Sequence, residues 1–110
     1  MNTIKAVFVN VDKAEISHVQ IDTRTFWLDI YKLCGWDCGD MVRLRRGNMA
    51  VVDDCGLMKN PKKGFTCDDY PQPLAGNAVI VGPEVEGETT DCDLTNEEIK
   101  SIIKIVSFGE

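Results

Sequence analysis

The chain has a single histidine, His18, and that scarcity bounds its chemistry. Ser–His–Asp or Cys–His catalysis needs an imidazole to take the nucleophile's proton, so either would rest on this one residue. His18 falls inside a strand candidate, where a histidine is ordinarily a surface or satisfied residue, and the chain is expected not to be an enzyme. Two phosphate cradles are missing as well. There is no G-x-x-x-x-G-K-[ST] segment and no G-x-G-x-x-G after a strand, which removes the familiar triphosphate and dinucleotide sites. Long apolar runs are absent too: Ala78–Val81 has the length of a strand, far short of the roughly 20 residues of a membrane helix. Met1–Lys5 does not open a signal peptide, so the expected compartment is the cytoplasm and no membrane partner is expected.

Cation excess is also lacking. Twelve Lys and Arg stand against 18 Asp and Glu, for a net charge of −6, which argues against direct nucleic-acid binding. The five cysteines, Cys34, Cys38, Cys55, Cys67 and Cys92, are an odd number without a secretion signal. That argues against a disulfide framework and favours reduced thiols, several of them buried. Cys34-x3-Cys38 has the spacing of half a zinc site that Cys55 or Cys67 would complete, but structural zinc sites usually repeat a tighter C-x2-C pair. No metal and no cofactor is assigned on this pattern.

What is present fits one domain, residues 1–110, with 44% hydrophobic residues to fill a modest core. Residues 3–11 read as a strand buried on both faces, and residues 15–22 as a second strand after an Asp12-Lys13 turn. Its apolar positions Ile16, Val19 and Ile21 switch parity once, which predicts a bulge or an edge strand. Thr23–Leu33 reads as a helix stopped by Gly35, with Trp27 and Tyr31 either lining a pocket or covering a sheet. Residues 40–46 and 49–53 read as a hairpin about Gly47-Asn48, with Arg43 and Arg45 on one strand face and Arg46 on the other. Residues 54–73, with three prolines and three lysines, read as a long irregular loop.

Leu74–Gly82 returns to a strand, and residues 84–93 form an acidic loop with no cation. Thr95 and Glu98 make a capping box ahead of a helix whose apolar stripe is Ile99, Ile102, Ile103 and Val106. The order β-β-α-β-β-loop-β-α predicts an α+β fold, a mainly antiparallel sheet of about five strands with two helices on one face.

Charge is segregated along this order. Residues 41–66 hold six cations and two carboxylates, a balance of +4 in a chain of −6, so the remainder carries −10. Arginine's planar fork suits phosphate or carboxylate, and lysines add mobile charge. The basic island therefore predicts a site for a small anion, gripped by Arg43 and Arg45 and closed by Lys59, Lys62 and Lys63 on a loop, with Trp27, Tyr31 or Trp36 stacking a base. The competing surface is acidic: Glu84, Glu86, Glu88, Asp91 and Asp93, continued by Glu97 and Glu98, would bind a host protein in the manner of a DNA mimic. Either run of charge also serves simply to keep an exposed loop solvated.

Several stretches together resemble a small uncharacterised domain encoded by bacteriophages and mobile elements. They are the IKAVFV strand, Asp53-Asp54-Cys55-Gly56-Leu57 leading to Asn60-Pro61, the segment from Gly76-Asn77 to Gly82, and LTNEEIKSIIKIV. The Lys-rich, Cys-containing stretch Lys62–Asp69 departs from that pattern. The resemblance implies no catalytic residues. It implies a phage-made protein in a bacterial cytoplasm, with an anti-defence role that works by binding. A sponge for a cyclic-nucleotide-type signal is the leading expectation, with a homo-oligomer because such sites often lie between protomers.

Overall fold

The structure, a computed structural model, describes residues 2–59 and 61–108, and of Leu57 the backbone only. Asn60 of the Asn60-Pro61 motif lies outside the described residues. The fold is α+β, with antiparallel sheets and two α-helices among the described residues. None of those helices is long and apolar enough to cross a membrane.

Strands β1 (Thr3–Asn10) and β2 (Glu15–Asp22) form a hairpin in unbroken register from Thr3↔Asp22 to Asn10↔Glu15. They continue into β7 (Ala78–Val81), β4 (Met49–Asp53) and β3 (Gly39–Arg43), giving a five-stranded sheet in the order β2-β1-β7-β4-β3. The parity switch in β2 marks an edge strand and not a bulge. Ile16 packs against one core while Val19 and Ile21 pack against the other.

Period-2 alternation divides the interior between the two faces of this sheet. Val7, Val9, Ala50, Val52, Ala78 and Ile80 point to one side, and Ile4, Ala6, Val51, Val79 and Val81 to the other. Helix α1 (Phe26–Cys34) covers the second side through Ile30 and Cys34, and ends where Gly35, at φ 84°, donates its N–H to the Tyr31 carbonyl. Helix α2 (Asn96–Ile102) covers the first side through Ile99 and Ile102. The helices thus lie on opposite faces, not on one.

The reason is a second sheet that the sequence reading did not contain. Residues 54–73 are not an irregular loop: after a 3-10 turn at Gly56–Lys59 they form β5 (Lys63–Cys67) and most of β6 (Tyr70–Ala75). Pro71 and Pro73 sit in β6, the edge strand, where missing N–H groups cost no ladder partner. The third strand, β10 (Ile103–Ser107), pairs with β5 from Ile103↔Cys67 to Ser107↔Lys63. The last helix is therefore shorter than its apolar stripe suggests. Its helical period ends at Ile102, and Ile103 and Ile105 continue at period 2 into the same core as Phe65 and Cys67. The acidic loop also has order, a small hairpin of β8 (Glu84–Val85) and β9 (Glu88–Thr89).

Candidate ligand-binding cleft

The two adjacent arginines of the basic island are used internally. Strand β3 stops at Arg43, and residues 44–48 form a five-residue connection in which Arg46 takes a left-handed φ of 58°. Arg45 consequently leaves the face it was expected to share with Arg43. It makes a two-pronged bond to Asp69 at the β5–β6 turn, Nε to Oδ2 at 2.9 Å and Nη2 to Oδ1 at 2.9 Å. The Arg45 backbone N–H donates to the same carboxylate at 3.0 Å. These hydrogen bonds hold the Asp69 carboxyl below the usual carboxylate range.

Arg46 reaches α2 instead, with Nη2 2.9 Å from Glu98 Oε2 and Nε 3.5 Å from Asp93 Oδ1. The Thr95 backbone N–H first, and Arg46 next, lower the Glu98 pKa. Beneath them Asn48 is fully buried: its Nδ2 donates to the Arg45 carbonyl at 3.0 Å and to Asp93 Oδ1 at 2.6 Å, and its Oδ1 accepts from Asp93 N–H. Arg45, Arg46 and Asn48 thus fasten the β3–β4 connection to the second sheet and to α2. Arg43 remains exposed beside Met41, Met49 and Glu84, in a separate groove of about 370 Å³.

The lysines converge elsewhere. Lys59, Lys62 and Lys63 line a cleft of about 240 Å³ together with Trp36, Asp12 and Asp53. Its wall is built around Asn77, in the turn between β6 and β7. The Val11 N–H donates to Asn77 Oδ1 at 2.8 Å, Asn77 Nδ2 donates to the Cys34 carbonyl at 3.2 Å, and Trp36 Nε1 donates to the Asn77 carbonyl at 2.9 Å. One side chain and its carbonyl so join the end of β1, the end of α1 and the tryptophan. The signal for this role was the Gly76-Asn77 pair between two apolar stretches, which sequence reasoning had absorbed into a continuous strand.

The three lysines differ in commitment. Lys59 Nζ lies 2.9 Å from Asp53 Oδ2, a carboxylate whose side chain is only 6% exposed, and that hydrogen bond raises the Lys59 pKa. Lys63 Nζ approaches the Asp12 carbonyl at 3.5 Å. Lys62 is exposed and has no ion pair among the described residues. The long irregular loop expected of them shrinks to a short connection: Lys59 ends a 3-10 turn, Lys62 lies in the bend before β5, and Lys63 begins β5.

Of the three aromatic candidates, only Trp36 lines the cleft. Trp27, Tyr31 and Trp36 form a row with ring centroids 5.9 and 5.6 Å apart, and Tyr31 and Trp36 pack on the sheet core. Gly39 fits against this row because nothing larger can: a Cβ there would lie 2.6 Å from a Trp27 ring carbon and 2.9 Å from one of Trp36.

The acidic candidates also separate. Glu84, Glu86 and Glu88 are exposed on the β8–β9 hairpin. Asp91 accepts from the Lys5 N–H at 2.8 Å, and Asp93 is occupied by Asn48 and Arg46. Glu97 is exposed in the first turn of α2.

All five cysteines are free thiols. Cys34 and Cys67 are buried; burial first, then Asp53, pushes the Cys34 thiol up to about 12. The Cys34-x3-Cys38 spacing does not bring that pair into one metal-ligand group. Cys38 instead meets Cys55 and Asp54, their ligand atoms all within 4.8 Å of one another. Partial desolvation, then Cys55, Asp54 and Asp37, raise the Cys38 pKa. His18 is exposed on the edge strand β2.

Compared with known protein families, with curated proteins and with solved structures, the chain finds no match.

Proposed function

We propose that the protein binds a small phosphorylated anion of the cyclic-nucleotide type in the cleft rimmed by Lys59, Lys62 and Lys63. The observation that carries this reading is their convergence, from the 3-10 turn and from the start of β5, on one concave surface beside Trp36. Ammonium groups at a cleft attract phosphate as point charges. Lys59 is held by Asp53, so Lys62 and Lys63 carry the recognition, and the Trp36 ring offers an apolar wall for a base or sugar. Arg43, Arg45, Trp27 and Tyr31 drop out of the ligand set.

Size narrows the ligand. At about 240 Å³ the cleft is below the roughly 300–1,000 Å³ of pockets that enclose drug-sized molecules, so it takes the phosphate and part of a nucleotide and leaves the rest outside. A dinucleotide would need a second copy of the chain to complete its site, which is the sense in which a homo-oligomer belongs to this reading. From the resemblance alone, we further propose a phage-encoded accessory protein that sequesters a host defence signal in the bacterial cytoplasm without cleaving it.

Isothermal titration against inorganic phosphate, cyclic mono- and dinucleotides and ADP-ribose tests the binding, and chromatography of each mixture for products tests capture against cleavage. A ligand lost in Lys62→Ala/Lys63→Ala and retained in Arg43→Ala supports the proposal. No heat at millimolar ligand overturns it.

A second reading keeps one observation of its own. Glu84, Glu86 and Glu88 flank Val85, which is 53% exposed, on an exposed hairpin of the kind a basic protein surface would engage. Capture of a host protein that is abolished by neutralising these three glutamates would favour it.

A further inference from the structure

The geometry points to a second site, independent of the cleft: Cys38, Cys55 and Asp54 bind one thiophilic divalent cation of the zinc type. Backbone pairing brings the three together. Gly39 and Asp53 are the terminal partners of the β3–β4 ladder, so Cys38 and Asp54 are the next residues out on either side. The Asp54 N–H donates to the Cys38 carbonyl at 2.8 Å, which prolongs the ladder by one bond. The Cys55 N–H then donates to Asp53 Oδ1 at 3.1 Å, turning the chain so that its thiol returns towards Cys38. The donors are thus gathered by the hairpin itself, before any ion arrives.

Distances suit tetrahedral coordination. With Zn–S near 2.3 Å and Zn–O near 2.0 Å, tetrahedral geometry places two sulfurs about 3.8 Å apart and a sulfur and an oxygen about 3.5 Å apart. Cys38 Sγ lies 3.9 Å from Asp54 Oδ2, and no pair among the three donors exceeds 4.8 Å, so modest side-chain rotations close the site. Binding releases the thiol protons, so the ion faces two thiolates and a carboxylate, and the nearest lysine in sequence, Lys59, is engaged with Asp53. A divalent cation offsets that charge. Sulfur donors select zinc-like ions over magnesium or calcium, which take oxygen. Three protein ligands leave a fourth position for water or an exchangeable group.

The test is titration of the reduced, metal-stripped full chain with Co²⁺, followed by displacement with Zn²⁺. One equivalent should give thiolate-to-cobalt charge-transfer absorption that zinc removes and magnesium does not. Cys38→Ser and Cys55→Ser should each weaken binding at least tenfold and roughly halve that absorption per bound ion. Asp54→Asn should weaken binding while the charge-transfer band remains, and Cys92→Ser and Lys62→Ala/Lys63→Ala should leave both unchanged. Cys38 and Asp54 are exposed, so their variants are expected to keep the wild-type circular dichroism. Absence of the band in the reduced wild type, or an equal band in Cys38→Ser and Cys55→Ser, overturns the site.

Discussion

The arginine and lysine halves of the basic island are neighbours in sequence but do different work in space. Arg45 and Arg46 meet Asp69, Asp93 and Glu98, carboxylates from the β5–β6 turn and the region of α2. Their charge is absorbed by the fold and fastens the β3–β4 connection to two other elements. The lysine half lies over a cleft, and only Lys59 forms an ion pair among the described residues. Arg43, the third arginine, has no ion pair among the described residues, but it faces the separate groove beside Glu84 and not the lysine cleft.

The largest expected effect falls on the arginine side. Asn48→Ala removes three hydrogen bonds from a fully buried position and should destabilise the chain by about 2–3 kcal/mol, read by urea denaturation. A loss below ~0.5 kcal/mol would mean that the connection is not a fastening point. Gly39→Ala tests the aromatic row behind the lysine side. Its added methyl group meets Trp27 and Trp36, so overpacking of about 1–3 kcal/mol is expected, with altered tryptophan fluorescence.

Arg45→Ala should cost less than Asn48→Ala, because its partner is near the surface and exposed pairs are screened. Its pH dependence has a definite sign. Asp69 has a folded pKa below its ordinary 3.8, so its contribution is present above that value and is lost as pH falls through the lowered one. The stability difference between wild type and Arg45→Ala should thus be full at neutral pH and shrink below about pH 4. A difference that grows on acidification would contradict the assignment. Smallest of all in stability is Lys62→Ala/Lys63→Ala, which should leave the thermal midpoint within about 1 °C, since exposed substitutions rarely matter to folding.

Much of this architecture was legible where one period dominates. Strand β1, the Gly35 helix stop and the Thr95–Glu98 capping box all stand where the pattern placed them. The second sheet was hidden because Pro71 and Pro73 signal a loop, yet an edge strand accepts them. The helical stripe predicts a helix running on to Val106, but Ile103 and Ile105 also alternate at period 2, and pairing with β5 makes residues 103–107 a strand. With that sheet missing, nothing in the pattern could send the two helices to opposite faces.

The site was legible only as composition. The lysines could be named, but the partners that remove Arg45 and Arg46 from it lie 24 and 52 residues further along the chain. Asn77, which builds the cleft wall, carried no charge to draw notice. Cys38 and Cys55 are 17 positions apart and become neighbours through strand register, not through a recognisable ligand spacing.

The most direct test of the division within the island measures binding and stability together in Lys62→Ala/Lys63→Ala and in Arg45→Ala, using whichever phosphorylated ligand the titration panel identifies. The lysine variant should lose binding at least tenfold with its thermal midpoint unchanged, while Arg45→Ala should keep its affinity and melt lower. An arginine variant that loses the ligand while the lysine variant retains it would place the binding site on the arginines instead.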